Sequence, residues 1–470
     1  MGVIAKKIKL SSLSLNDRIG LKDYSLLHID NYVFLKNILM NRDTDNGIKS
    51  GRTPSKFNEQ YWNGEYEFLT MQDVDKSTYV LRKCSSEHIT DYAIENERTL
   101  FQASTGDLIF SNAMTVGLSF LVDRNIYINQ NVFALKIDDN AYNKVFLKWY
   151  FNLVFKPNFD KIHTSKYISK SEVGKIKIPN FEISRLNTIA KKIEAIESEI
   201  RKFENALLDH SEIINRVFGE EFDFDWDEFE KIKRERIYNS SILSFANNVD
   251  CRMGVRFHNK AGQYVQTFLE KITNKRIKDF ISEPIVLGKS VSPNEYDEDG
   301  EYFYIAMSNI KTWAFDPEDC KKVSDDYSSN NLNKTVQKGD ILLARSGEGT
   351  IGKVALIEDE EINGIFADFT QRIRLTGFDP LCAYYYFRSD FFQYLVYTHK
   401  KGLGNNTNIF PSQIKEFPMP DWDETKQAEI VKAIKTQLDE QRVINRQIEE
   451  KQKAISKIID EAIAVEQSNA

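Results

Sequence analysis

Cysteine is scarce in this chain: 4 among 470 residues, at Cys84, Cys251, Cys320 and Cys382, with no Cys-x-x-Cys pair. Such wide spacing excludes a zinc knuckle and a disulfide framework, and leaves reduced structural thiols as the reading. The 10 prolines are all isolated. The Asn/Asp/Ser-Pro-Pro-aromatic tetrapeptide that holds a base amino group during methyl transfer is therefore missing, and no Gly-rich cofactor fingerprint opens a helix after a strand. No apolar run reaches the ~18 residues of a membrane span. Met1-Gly-Val-Ile-Ala-Lys6 has no signal-peptide core, and Lys6 stands where a myristoylation motif needs Ser or Thr. The expectation is a cytoplasmic protein with no membrane partner. An excess of positive charge is lacking too: Lys+Arg is 63 against Asp+Glu 70, a net charge of -7. That excludes a uniformly basic coat but leaves room for local basic faces.

What is present is a chain that can bury real cores, 41% hydrophobic and 28% charged, and long enough for roughly three folding units at about 150 residues each. It also repeats itself. Gly64-Glu-Tyr-Glu-Phe-Leu-Thr-Met-Gln-Asp-Val74 returns as Gly300-Glu-Tyr-Phe-Tyr-Ile-Ala-Met-Ser-Asn-Ile310, and Gly106-Asp-Leu-Ile109 as Gly339-Asp-Ile-Leu342. Thr115-Val-Gly117 returns as Thr350-Ile-Gly352, and Ile178-Pro179 as Met419-Pro420. Four landmarks in one order at one near-constant offset mark a duplication. Each half reads as a mixed α+β domain followed by a long helix. The divisions are a first mixed domain at 1–178, a central helix at 179–222, a linker at 223–247, a second mixed domain at 248–417 and a C-terminal helix at 418–470. Residues 1–178 hold 24 basic and 20 acidic residues, while both helical regions are acidic, so a polyanion would meet the mixed domains.

The helices carry narrow apolar stripes. Leu186, Ile189, Ile193, Ile196, Ile200, Phe203, Leu207, Ile214 and Val217 follow 3-4 spacing with only His210 polar among them, the pattern of a coiled-coil seam. The matching seam runs Ile430, Ile434, Gln437, Gln441, Ile444, Ile448, Lys451, Ile455 and Ile458. Neither stripe buries a helix alone, so pairing with each other is the economical solution and pairing with another chain the competing one. Antiparallel pairing follows if the halves relate by a two-fold, with Gln437 and Gln441 fixing register. One continuous helix over 184–218 would measure about 52 Å at ~1.5 Å per residue. That is the span of roughly 15 base pairs at ~3.4 Å each.

Several motifs resemble chemistry without supplying it. Gly347-Glu-Gly-Thr-Ile-Gly352-Lys353-Val354 approaches a phosphate-binding loop, but Val354 lacks the hydroxyl that meets Mg²⁺ and the residues after it read as a strand. Glu449-Glu-Lys451 has the letters of a nuclease motif but falls in the C-terminal helix as a solvated face. No catalytic, cofactor-binding or metal-ligating set remains. What remains are polar, cation-bearing segments ahead of the helices: Lys161-Ile-His163-Thr164-Ser165-Lys166 in the first half and Lys400-Lys401, Asn405, Asn406 and Asn408 in the second. Their side chains suit phosphate and base-edge hydrogen bonding. Arg345 adds a fork able to pair with guanine and Glu348 an acceptor for a cytosine amino proton. Arg52, Lys56, Asn112 and Thr350 complete the candidate DNA-binding set.

Gly51-Arg-Thr-Pro-Ser55 with Tyr61-Trp-Asn-Gly64, Gly106-Asp-Leu-Ile109 with Thr115-Val-Gly117, Gly339-Asp-Ile-Leu-Leu-Ala-Arg345 with Gly352-Lys353, and the prolines before both helices give a pattern that resembles the specificity subunits of type I restriction-modification systems. The resemblance covers essentially the whole chain. The second half departs from it in having Leu287-Gly-Lys-Ser-Val-Ser-Pro293 in place of the Gly-x-Thr-Pro-Ser and Tyr-Trp pair, so the halves are expected to read different DNA. The resemblance implies two target-recognition domains in a pseudo-two-fold arrangement, separated by two long antiparallel coiled-coil helices. Each domain docks in the major groove of one half of a split, asymmetric double-stranded DNA target. It also implies docking of DNA adenine methyltransferase subunits, which bring S-adenosylmethionine, and of motor-nuclease subunits, which use ATP and Mg²⁺. This chain itself performs no chemistry. Three rival readings are a specificity chain for another restriction-methylation system, an acidic coiled-coil scaffold or DNA mimic, and an autonomous enzyme, which the missing motifs disfavour.

Overall fold

Leu108-Ile-Phe-Ser111 is apolar at every core position because both faces of its strand are covered. Leu108 and Phe110 enter one hydrophobic cluster and Ile109 the opposite one, the two-residue alternation of a strand buried on both sides. Ile341-Leu-Leu-Ala344 does the same, Ile341 and Leu343 on one side, Leu342 and Ala344 on the other. These strands centre the two units of the computed structural model. The first unit is Met1–Leu207 with Ile444–Ala470 and the second is Leu208–Val443. The structure describes residues 31–468 except 41–46, 76–77, 83–84, 163–165, 236–238, 240–242, 244–251, 311–312, 319, 360–361 and 403–405. Cys320 and Cys382 form no disulfide among the described residues; Cys84 and Cys251 lie outside the described residues.

The sheet of the first unit runs Ile48–Ser50, Val132–Leu135, Leu108–Ser111, Ser119–Leu121, all antiparallel. That of the second runs Val286–Leu287, Thr370–Ile373, Ile341–Ala344, Val354–Leu356, in the same order. A further sheet in each unit contains one parallel pairing, Tyr127 opposite Phe68 in the first and Phe303 opposite Gly364 in the second. The repeat in sequence is a repeat in topology.

Its landmarks have local causes. After each Gly-Asp pair the aspartate closes its own turn and takes a cation. Asp107 accepts from the Ser104 N–H at 2.8 Å and from Lys136 at 2.5 Å; Asp340 accepts from the Gln337 N–H at 2.8 Å and from both Arg374 Nε and Nη2 at 2.7 Å. Gly117 and Gly352 share φ +88°, a left-handed value costly for other residues. A Cβ there would lie 2.8 Å from Phe155 Cδ1 in one unit and 2.8 Å from Gln393 Oε1 in the other. The loop that approaches a phosphate-binding motif thus leads into the strand Val354–Leu356, antiparallel to Ile341–Leu343, with no helix N-terminus to face a phosphate.

The central helix is two helices. Ile183–Glu204 ends before Asn205, and His210–Phe222 begins after Asp209. Asp209 accepts from the Ser211 N–H at 2.7 Å while Glu212 reaches back to the Asp209 N–H at 3.2 Å. This capping box starts a new helix whatever the apolar stripe continues to do. In the break, the Leu208 N–H donates to Gln441 Oε1 at 2.8 Å. The expected single rod over 184–218 is corrected accordingly, and His210 is the first residue of the second helix.

Both central helices pack on the C-terminal helix, Glu424–Ser468, and both run antiparallel to it. In the first unit Arg185 pairs with Glu466 and Glu199 with Lys451. In the second Arg216 donates to Gln437, and Glu221 pairs with Lys426 at 2.7 Å. Leu186, Ile193, Ile200, Ile214, Ile430, Ile434, Ile448 and Ile455 are buried as their spacing predicts. Leu438 and Ile459 are buried where Gln437 and Ile458 were expected, because each central segment sets its own register. A buried ion pair joins helix to domain in the first unit. Lys148 Nζ and Trp149 Nε1 both donate to Glu197 Oε1, at 2.8 and 2.5 Å.

The 223–247 segment is not only a linker. Trp226–Arg234 is a helix with Phe229 fully buried, and Phe224 packs on Trp226, Phe268 and Phe391 at 4.8–4.9 Å between ring centroids. Three aromatics within six residues belong to the core of the second unit. Among the described residues no helix is long and apolar enough to cross a membrane.

Candidate nucleic-acid interface

Each unit ends its central strand at one edge, where a later segment is stitched to it. In the first unit the Asn112 N–H donates to Asn131 O at 3.0 Å, the Ile168 N–H to Asn112 O at 2.9 Å, and the Met114 N–H to Lys166 O at 2.7 Å, with Ala113 bridged to Tyr167. In the second the Arg345 N–H donates to Phe369 O at 2.9 Å, the Ile409 N–H to Arg345 O at 2.9 Å, and the Gly347 N–H to Thr407 O at 3.3 Å, with Ser346 bridged to Asn408. Asn112 and Arg345 are therefore equivalent, as are Met114 and Gly347, both with φ near the left-handed region at +62° and +86°. Two sequence segments about 50 to 65 residues apart meet in each unit. This edge is where most of the candidate residues gather.

In the first unit Lys166 is exposed beside Tyr167 and Met114, themselves 54% and 71% exposed. Lys161 is exposed near the end of the helix Lys156–Ile162. His163, Thr164 and Ser165 lie outside the described residues. Asn112 departs from expectation. Its side chain is 1% exposed and its Oδ1 has no hydrogen-bond partner among the described residues, so it sits inside the edge and offers nothing to a groove. Arg52 is exposed and has no ion pair among the described residues. Its loop is held to the neighbouring turn by Thr53, whose N–H and Oγ1 donate to Gln130 Oε1 at 3.1 and 2.8 Å. Lys56 is engaged: it pairs with Glu87 at 2.5 Å and lies 3.9 Å from the Trp62 ring centroid. Beside it Phe57 is wholly exposed.

The second edge is more polar. Arg345 Nε donates to Asp368 O at 2.8 Å and Nη1 to Asn408 Oδ1 at 3.4 Å, with Phe369 under the guanidinium at 5.9 Å. Glu348 accepts from Lys400 Nζ at 2.9 Å and from the Thr407 hydroxyl at 3.2 Å. The Lys400 hydrogen bond, more than any other influence, holds the Glu348 carboxyl below its ordinary range. Lys401 and Asn408 exchange both backbone hydrogen bonds at 2.7 Å. Asn406 is exposed; Asn405 lies outside the described residues. Two residues differ from the sequence reading. Lys400 is 5% exposed, so its ammonium serves Glu348 and not a phosphate. Thr350 donates its hydroxyl to Ser346 O at 2.8 Å, shaping the loop it belongs to.

One element was missed. Arg252 donates to His399 O at 2.9 Å and Lys400 O at 2.7 Å, which pins the turn Arg252–His258 to this edge. The turn exposes Met253 and Val255, and the charge of Arg256 acts on Glu348. The signal was legible as two arginines bracketing Met-Gly-Val, but nothing in it said which edge the turn would join.

The profile of the type I restriction modification DNA specificity domain matches residues 47–209 and again 269–464. The chain belongs to that family, and carries its domain twice. Comparison with curated proteins returns no match. Similar solved structures include a chain of a type I R-M system whose complex assembly and conformational transition were studied (13% identity, 92% of this chain and 97% of that one, TM-score 0.41). Others are the type I restriction-modification S subunit of M. genitalium (13%, 91% and 95%, 0.37) and the HsdS subunit of Thermoanaerobacter tengcongensis (13%, 92% and 96%, 0.31).

Proposed function

We propose that this specificity chain reads a bipartite, asymmetric DNA target, one half-site with each unit, and carries DNA adenine methyltransferase subunits on its helices. One observation carries the reading: the two units present the same stitched edge with different side chains. An edge built twice and decorated differently suits two base sequences better than one repeated ligand. Direct readout needs a few polar side chains on a rigid frame at base-pair distance. In this reading Lys166, Arg52, Lys161 and Lys401 would meet phosphates, and Arg345, Glu348, Asn406 and Asn408 base edges.

The chemistry belongs to partners: methyl transfer from S-adenosylmethionine to the methyltransferase subunits, and ATP- and Mg²⁺-dependent cleavage to motor-nuclease subunits, all acting in the cytoplasm. Because the chain is acidic, DNA binding by the chain alone is weak, and binding in the complex is tight and steeply salt-dependent. The paired helices set the unread gap. Removing seven residues from Ile183–Glu204 and seven from the facing part of the C-terminal helix shortens the preferred gap; an unchanged gap rejects the ruler.

The deciding experiment is methylome sequencing of a host with and without this chain alongside its methyltransferase. A split motif that disappears with the chain is the expected result. Methylation indifferent to the chain overturns the reading in favour of a scaffold or DNA mimic.

A further inference from the structure

Glu348 is an anomaly on an edge meant for a polyanion. Its side chain is 47% exposed, yet the groups that hold it are not: Lys400 is 5% and Thr407 0% exposed. A surface ion pair has two mobile ends and fixes little. Here one end is immobile, since the Lys400 N–H donates to Val396 O at 2.9 Å and its carbonyl accepts from Arg252 Nη2 at 2.7 Å. Lys400 binds one carboxylate oxygen and Thr407 the other, so the plane of the group is set. An ionised carboxylate has about four acceptor sites and no donor; among the described residues two are taken, which leaves sites for an incoming donor.

That donor is not a phosphate, which only accepts. Among base edges in the major groove, cytosine offers its N4 amino group alone, whereas adenine sets the acceptor N7 beside its N6 amino group. A carboxylate fixed by two partners cannot turn away from N7. We propose that Glu348 selects a cytosine in the half-site read by the second unit, accepting from its exocyclic amino group, and that Lys400 and Thr407 are positioning residues that aim the carboxylate. The inference rests on the DNA-reading function proposed above. Because Lys400 holds the carboxyl below its ordinary range, the acceptor stays ionised in mild acid and selection persists there.

The test uses the full chain assembled with its methyltransferase, methylating a DNA library randomised at both half-sites, with products read by sequencing. The unaltered complex requires cytosine at one position of the half-site. E348A and E348Q lose about tenfold of that discrimination, within the range for one base contact, and leave every other position unchanged. K400M and T407V lose part of it, while T407S, which keeps the hydroxyl, retains it; a purely structural role would not separate T407S from T407V at a single base position. Unchanged cytosine preference in E348A overturns the proposal. So does uniform loss at all positions, or a requirement for adenine where cytosine is expected. An unaltered complex that methylates without sequence preference overturns the DNA-reading function itself.

Discussion

The two stitched edges share a hydrogen-bonding frame and almost no side chains. Where the first unit places Met114 and Tyr167 on the surface, the second places Gly347 and a carboxylate fixed by Lys400. Where the first buries Asn112, the second extends Arg345 to Asp368 and Asn408. The frame is built from backbone N–H and C=O groups, which every residue supplies, so the tips can change without cost to the ladder. Surface chemistry can diverge between halves while the fold does not.

The comparison breaks most strongly at the helix junction, because among the described residues only the first unit holds its helix with a buried ion pair. E197A strands Lys148, which has side-chain exposure of 6%, and is expected to cost about 3–5 kcal/mol. Hydrogen exchange should accelerate across 144–204 and leave 260–420 unchanged; equal loosening of both would refute the asymmetry. Next come the paired glycines. G117A and G352A each force a side chain into φ +88°, about 1–2 kcal/mol before contacts. G117A is expected to be the worse, since its Cβ meets the ring of Phe155 while that of G352A meets the flexible Gln393; thermal melts of the two variants rank them.

Asp209 tests whether the break in the central helix is designed. D209A removes the cap of His210–Phe222 at about 1 kcal/mol. Burial by itself would raise the Asp209 carboxyl, but hydrogen bonds from Ser211 hold it below its ordinary 3.8. The cap's contribution is therefore complete above that value and fades as acid protonates the group. The gap between variant and parent should close at low pH; a pH-independent gap contradicts this. The smallest effect is that of Lys166. K166A should weaken binding of the assembled complex equally for all sequences and flatten its salt slope by about 1, as a titration at several salt concentrations would show.

Much of this was legible in the sequence. The duplication, the buried strands at 108–111 and 341–344, the seam isoleucines and the polar segments ahead of the helices all follow from spacing and residue type. The break at 205–209 was also written there, as Asp209-x-x-Glu212, but the continuing apolar stripe outweighed it. Phe224, Trp226 and Phe229 likewise marked 223–247 as more than a linker. Lys400 and Asn112 were misread for a different reason. A lysine or asparagine in a polar loop looks the same whether it faces solvent or the interior.

Sequence alone determined that there are two like domains with a helix after each, because alternation and heptad spacing are properties of neighbouring residues. Only the tertiary structure decided which loops meet and which cations remain open, since burial and pairing depend on residues 50 or more positions away that no local pattern encodes.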